Sequence, residues 1–172
     1  MGIQLLFCVE TDDDSKTDWV YIKETLDHYY RLNNEVSLKP VYMSGKGNYK
    51  KGSTIREIRK RTNGFRGNGK TVVIYCIDTD DIFADPDRVK EFEEIQNYCG
   101  DRKYEFSWFC RDVEEVYWGQ QVPASEKVQR SKQFRKVGRI ENIPEETLRA
   151  DKPNRRKSNI LGVVDKYLER KK

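Results

Sequence analysis

The chain has 172 residues, enough for one domain with its own core. Hydrophobic and charged residues each make up 36%, which suits a small soluble domain with a thin core, and no apolar run approaches the ~20 residues that span a bilayer. The net charge of +4 is uneven: residues 46–70 and 125–172 each carry +8, so the remainder carries −12. Two basic stretches beside an acidic remainder suggest a polyanion surface around a cation-binding centre.

The opening MGIQLLFCVE has no basic leader and meets an acid at Glu10, which argues against a signal peptide and for a cytoplasmic protein without a membrane partner. Its IQLLFCVE run predicts a buried strand. DDDSKTD then offers several N-caps for a helix with Trp19, Ile22, Leu26 and Tyr29/Tyr30 at helical spacing. Asn33-Asn34 marks a turn, and EVSLKPVYM reads as a strand whose Pro40 points to a sheet edge or a break. TIREIRKR follows as a short helix stopped by NGFRGNG. TVVIYCID is the strongest strand, β-branched, aromatic and continuous, as expected of a parallel strand buried on both faces.

Asp85-Pro86 opens a further helix that Gly100 can end. YEFSWFCRD is a fourth strand and VEEVYWG a short helix. From about residue 120 the pattern turns basic and weakly periodic, and NILGVVDKYLERKK reads as a closing amphipathic helix. The alternation predicts an α/β domain over 1–120, with a mostly parallel sheet of about four strands, and a basic helical extension over 121–172 packed on it. Trp108, Trp118, Phe106 and Phe109 are expected in the core.

GFRGNGKT, residues 64 to 71, matches a phosphate-loop pattern by letter. Such a loop needs a strand before it and a helix after it, so that amide groups and the helix N-terminus hold the phosphates. Here the order is reversed, and a glycine turn between helix and strand is the preferred account. A nucleotide-binding protein using Gly64–Thr71 is the weaker alternative. The four cysteines form no CxxC pair, and with the single His28 they argue against zinc.

The acids at strand ends carry more. Asp78-Thr79-Asp80-Asp81 closes the central strand, at the edge where open α/β sheets place their sites. In an extended chain Asp78 and Asp80 point the same way. With no basic neighbour in sequence they would repel unless a cation bound, and hard oxygen ligands favour Mg²⁺ or Mn²⁺. Glu10 closes the first strand, and if the two strands are neighbours it shares one edge with Asp78 and Asp80.

This arrangement resembles the Toprim domain, in which a glutamate closes the first strand and a DxD motif a later one; the matching residues are Glu10 in LLFCVE and Asp78 and Asp80 in IYCIDTDD. The likeness extends to the OLD/RloB-like branch through Thr17-Asp18 and through RDVEEVYWG, where Glu114 or Glu115 matches an acid of that branch, although Thr11 stands where that branch usually has glycine. The resemblance implies Mg²⁺-dependent phosphodiester hydrolysis of DNA or RNA, with Glu10, Asp78 and Asp80 catalytic and Glu114 a further metal ligand. It also implies an effector of a bacterial anti-phage system, paired with a partner ATPase or held in a larger defence complex. A catalytically silent module that binds nucleic acid or a partner is the alternative. The expected nucleic-acid contacts are Lys50, Lys51, Arg56, Arg59, Lys60, Arg155, Arg156 and Lys157. Tyr49, between basic residues, is a candidate for stacking on a base.

Overall fold

The computed structural model describes all 172 residues. One sheet holds strands β1 (Gly2–Val9), β2 (Val36–Tyr42), β3 (Gly69–Asp78), β4 (Glu105–Cys110) and β5 (Lys157–Ser158). They lie in the order β2-β1-β3-β4-β5, all parallel except β5, which runs antiparallel to β4. Helices α1 (Thr17–Tyr29), α2 (Gly52–Phe65), α3 (Pro86–Asp101), α4 (Val113–Trp118), α5 (Lys127–Lys136) and α6 (Ile160–Val164) cover the faces. The chain is thus an α/β protein with a mostly parallel sheet between helices, and the first and third strands are neighbours.

Strands β1 and β3 are interior, and their alternate residues enter two cores. Leu5, Phe7 and Val9 with Val72, Ile74 and Cys76 face α1, α4, α5 and α6. Leu6, Cys8, Val73, Tyr75 and Ile77 face α2 and α3, meeting Ile58 and Ile95. Burial on both faces is why these strands read as unbroken apolar runs. Each fully buried Leu or Phe among them contributes ~2–3 kcal/mol. Pro40 lies in β2, at the sheet edge, opposite Phe7.

Gly69 opens β3 with φ +149°, and a Cβ there would sit 1.9 Å from the Gly2 carbonyl oxygen. Close approach of β3 to β1 therefore demands glycine, which accounts for the last glycine of the phosphate-loop pattern. Gly64 lies inside the final turn of α2, and Lys70 lies in β3 with its ammonium over the Tyr167 ring. The order is helix, turn, strand, the reverse of a phosphate loop.

Three elements on one face are braced by aromatics. Tyr21 of α1, Tyr117 of α4 and Phe134 of α5 meet with ring centroids 4.9–5.5 Å apart. The Tyr117 hydroxyl is 2.7 Å from Thr25 Oγ1, and Trp118 Nε1 donates to the Tyr21 hydroxyl. This brace ties α1 and α5 to the last turn of α4 beside the sheet.

Three expectations need correction. None of the N-cap candidates caps α1: Lys16 occupies that position in a left-handed conformation, while Asp12 turns the preceding loop by accepting from the amides of Asp14 and Ser15. The closing segment is not one amphipathic helix. Helix α6 stops at Val164, because the chain then turns to pair Arg170 with Asp165 and Glu145 and to place its last residues against Tyr29 and Tyr30. Strand β5 was not expected; its two residues carry no periodic signal and depend on β4 for pairing. No helix is long and apolar enough to cross a membrane.

Candidate active site

The carboxyl edge of the sheet gathers the acids. Glu10 follows the last residue of β1, and Asp78 is the last residue of β3. The Asp78 amide donates to Glu10 Oε2 at 2.5 Å, so the two strand ends are tied directly. Asp78 belongs to the alternation Val72, Ile74, Cys76, and so faces α1 and α4. Its Oδ1 accepts from the Val113 amide at 3.1 Å, at the first residue of α4. Asp112 caps the same helix by accepting from the Glu115 amide.

Helices α1 and α4 add two further acids to this side. Asp18, in the first turn of α1, and Glu114, in the first turn of α4, are both buried. Burial, reinforced by Glu114, pushes the Asp18 carboxyl up to about 7. Burial, reinforced by Glu10, Asp18, Glu114 and Asp112, holds Asp78 well above the usual carboxylate range. Burial raises Glu10 to about 8, although Lys46 and the Asp78 amide pull the other way. Glu114 is raised too, chiefly by burial. Four carboxylates at one edge thus resist ionising together. The nearest cation on this side is Lys127 of α5, 3.4 Å from Glu114 and 3.8 Å from Asp112. Glu114 Oε2 is buried without a hydrogen bond.

Asp80 does not join them. The extended backbone that would aim it with Asp78 ends at Thr79, and Asp80 takes φ +52°. Its amide still bonds the Arg111 carbonyl, but its carboxylate turns to the α2/α3 side. There Lys46 meets Asp80 Oδ2 at 2.6 Å, Arg88 lies at 3.8 Å, and Lys46 also contacts Glu91 and donates to the Asp78 carbonyl oxygen. Only 10% of the Lys46 side chain is exposed. Burial pulls its pKa down, but Glu10, Asp80 and Glu91 outweigh that, and the net shift is upward. The two aspartates of the motif therefore face different ways, and the reading that nothing basic stands beside them is corrected by Lys46.

Of the predicted acids, Asp78 and Glu114 share the crowded side of the edge, Glu10 lies at the strand end between that side and Lys46, and Asp80 is separate. Glu115 pairs with Arg111 at 3.2 Å. No group of three or more His, Cys, Asp or Glu side chains is drawn together closely enough to hold a metal ion. In donor chemistry the residues still fit a hard divalent cation: carboxylate oxygens and a mutual repulsion that a cation would relieve.

The predicted basic contacts fall in two places. Lys50 and Lys51 precede α2, and Arg56, Arg59 and Lys60 lie exposed along it, while Thr54 and Ile58 are buried on its other side. Arg155, Arg156 and Lys157 lie beside the end of β4, where Lys157 pairs with Cys110 and the Arg156 amide donates to the Cys110 carbonyl. Tyr49 is not a free stacking platform: its ring packs edge-on against Tyr98 and its carbonyl accepts from Tyr75. Trp108 and Phe109 are buried in the core; Phe106 and Trp118 pack at its margin.

Sequence reasoning missed Asp18, Asp112, Lys46 and Lys127 as members of the site. Asp18 stood in the Thr17-Asp18 pair that carries the family resemblance. Lys46 and Lys127 had no local signal, because their role depends on acids 32 or more residues away in Asp78 and 13 in Glu114. Comparison with family models, with curated proteins and with solved structures gives no match for this chain.

Proposed function

We propose that the chain is a divalent-cation-dependent nuclease of the Toprim type, of the OLD/RloB-like branch, acting as a cytoplasmic effector in anti-phage defence together with a partner ATPase or larger complex. The observation that carries this reading is the group of buried carboxylates at the carboxyl edge, each with a raised proton affinity. Asp18, Asp78 and Glu114 lie beside one another with Lys127 as their one close cation, an excess of acid that costs stability and suits the binding of a further cation. Asp78, Glu114, Asp18 and Glu10 would hold Mg²⁺ or Mn²⁺. That ion supplies Lewis-acid polarisation of a phosphate and a lower pKa for an attacking water.

The chain's own residues do the rest. Glu10 either completes the shell of that ion or, where it stays outside it, takes and returns a proton, for which burial, raising its carboxyl to about 8, suits it. Lys46 holds Asp80 and the Asp78 carbonyl, which keeps the end of β3 in place, and opposes the rise in the proton affinity of Glu10. Lys50, Lys51 and α2 on one side, and Arg155–Lys157 on the other, offer cations to a phosphate backbone passing over the edge.

The test is cleavage of plasmid DNA, single-stranded DNA and total tRNA with Mg²⁺, Mn²⁺ or EDTA, comparing the wild type with Asp78→Ala. Cleavage that requires metal and vanishes in the variant is the expected result. Folded wild-type protein that cuts none of these, alone or with its ATPase, would move the reading to a silent module that binds nucleic acid or a partner. One observation favours that second reading: the carboxylates are not drawn into a closed ligand shell.

A further inference from the structure

Helix α4 has a second use at its far end. A cavity of about 360 Å³ opens between its last turn and the segment 139–158, within the size range of small-ligand sites. Its wall carries Arg139, Arg155, Arg156 and Lys157, with Asn142 and Thr147 as uncharged polar groups, and no acid. None of the four cations has a carboxylate within ion-pair distance, although the chain has twenty-two such pairs elsewhere. Four cations that converge on one cavity with no acid in its wall form an electropositive pocket.

Arg139 is held in place for this role. Its guanidinium donates to the carbonyls of Tyr117 and Trp118 at 3.3 and 3.2 Å and lies 4.6 Å from the Trp118 ring centroid. Arg156 takes φ +62°, a left-handed conformation that turns the chain just before β5. A planar guanidinium fork matches phosphate oxygens in pairs, and four positive charges suit a phosphate better than a single carboxylate.

We propose that this cavity is a subsite for a phosphate group of a nucleic-acid strand. It deepens the nuclease reading and rests on that reading for its role, though not for its binding. Helix α4 joins the two places: its first residue binds Asp78, and Gly119, just past its last, lines the cavity. Six residues at ~1.5 Å each make the separation about 9 Å. The cavity therefore takes a phosphate of the same strand within a few nucleotides of the carboxylates.

The experiment measures binding in EDTA, so that no cleavage occurs. Fluorescence anisotropy follows a labelled single strand of about 12 nucleotides on the full chain as a function of salt. Arg155→Ala with Arg156→Asn, asparagine being tolerant of the left-handed backbone, is compared with Lys132→Ala with Lys136→Ala, which removes equal charge from exposed positions of α5. The pocket pair is expected to weaken binding about tenfold and to lower the salt slope by about two, and the control pair to change neither appreciably. Should the double variant misfold, Arg155→Ala alone is expected to lower the slope by about one. Competition by free nucleoside monophosphate would assign the cavity to a terminal phosphate; competition only by unphosphorylated oligonucleotide would assign it to the backbone. Equal losses in the pocket and control pairs, or equal competition by polyglutamate, would overturn the subsite. A protein that binds in this way but never cleaves would sink the nuclease reading alone; one that cleaves while its pocket variants bind like wild type would sink the subsite alone.

Discussion

The carboxyl edge of the sheet holds two groups of acids with opposite surroundings. On the α1/α4 side, Asp18, Asp78 and Glu114 crowd one another, and Lys127 lies at the rim. On the α2/α3 side, Asp80 and Glu91 share Lys46 and Arg88. The second group is an ion-pair network that holds a turn together. The first is an excess of buried acid with one cation at its rim, and burial and mutual repulsion raise its proton affinities. Two aspartates two residues apart in sequence thus lie in opposite electrostatic surroundings, set by the left-handed backbone of Asp80.

The widest gap between the two sides should appear in catalysis. Asp78→Asn, which keeps an oxygen for the Val113 amide, is expected to lower metal-dependent cleavage at least ~100-fold, and Asp80→Asn less than ~10-fold. Equal losses in cleavage rate would erase the distinction between the sides.

A pH titration of stability reads the crowded side directly. In the folded chain Asp18 and Glu10 keep protons to about pH 7 and 8, whereas their ordinary values are 3.8 and 4.5. The folded state therefore binds more protons between these limits, and stability falls as pH rises through that window. Urea unfolding in EDTA is expected to show stability falling steadily from pH 5 to pH 8, Asp18→Asn to flatten the slope, and Mg²⁺ to restore more stability at pH 8 than at pH 5. A flat wild-type profile would mean that the acids are not crowded in solution.

Lys46→Met probes the paired side. It leaves Asp80, Glu91 and the Asp78 carbonyl without their ammonium. The expected loss is about 2 kcal/mol in urea unfolding, less than the ~3–5 of a fully buried pair because Asp80 is 40% exposed. The smallest effect belongs to Arg59→Ala with Lys60→Ala on the exposed face of α2. Stability should change by less than ~0.5 kcal/mol, while the salt slope of oligonucleotide binding falls by about one to two.

Much of the frame was legible because it rests on local pattern. The continuous apolar runs of β1 and β3, the Asp85-Pro86 start of α3 and the Pro40 edge strand each follow from one segment's own chemistry. The reversed order around Gly64–Thr71 was also readable, because helix and strand signals flank the glycines. Of the site, Glu10 and Asp78 were legible as strand-end carboxylates, since neighbouring parallel strands bring their ends to one edge.

The α/β alternation, the parallel sheet and the acidic edge follow from local pattern, because hydrophobic period and strand-end position act within a few residues. Only the tertiary structure decided that Asp80 turns away to Lys46, that Asp18 and Glu114 close in behind Asp78, and that Arg139 meets Arg155–Lys157 around one cavity. Those outcomes depend on electrostatic contacts between segments far apart in the chain, and on a single backbone angle at Asp80, neither of which leaves a local trace in composition or spacing.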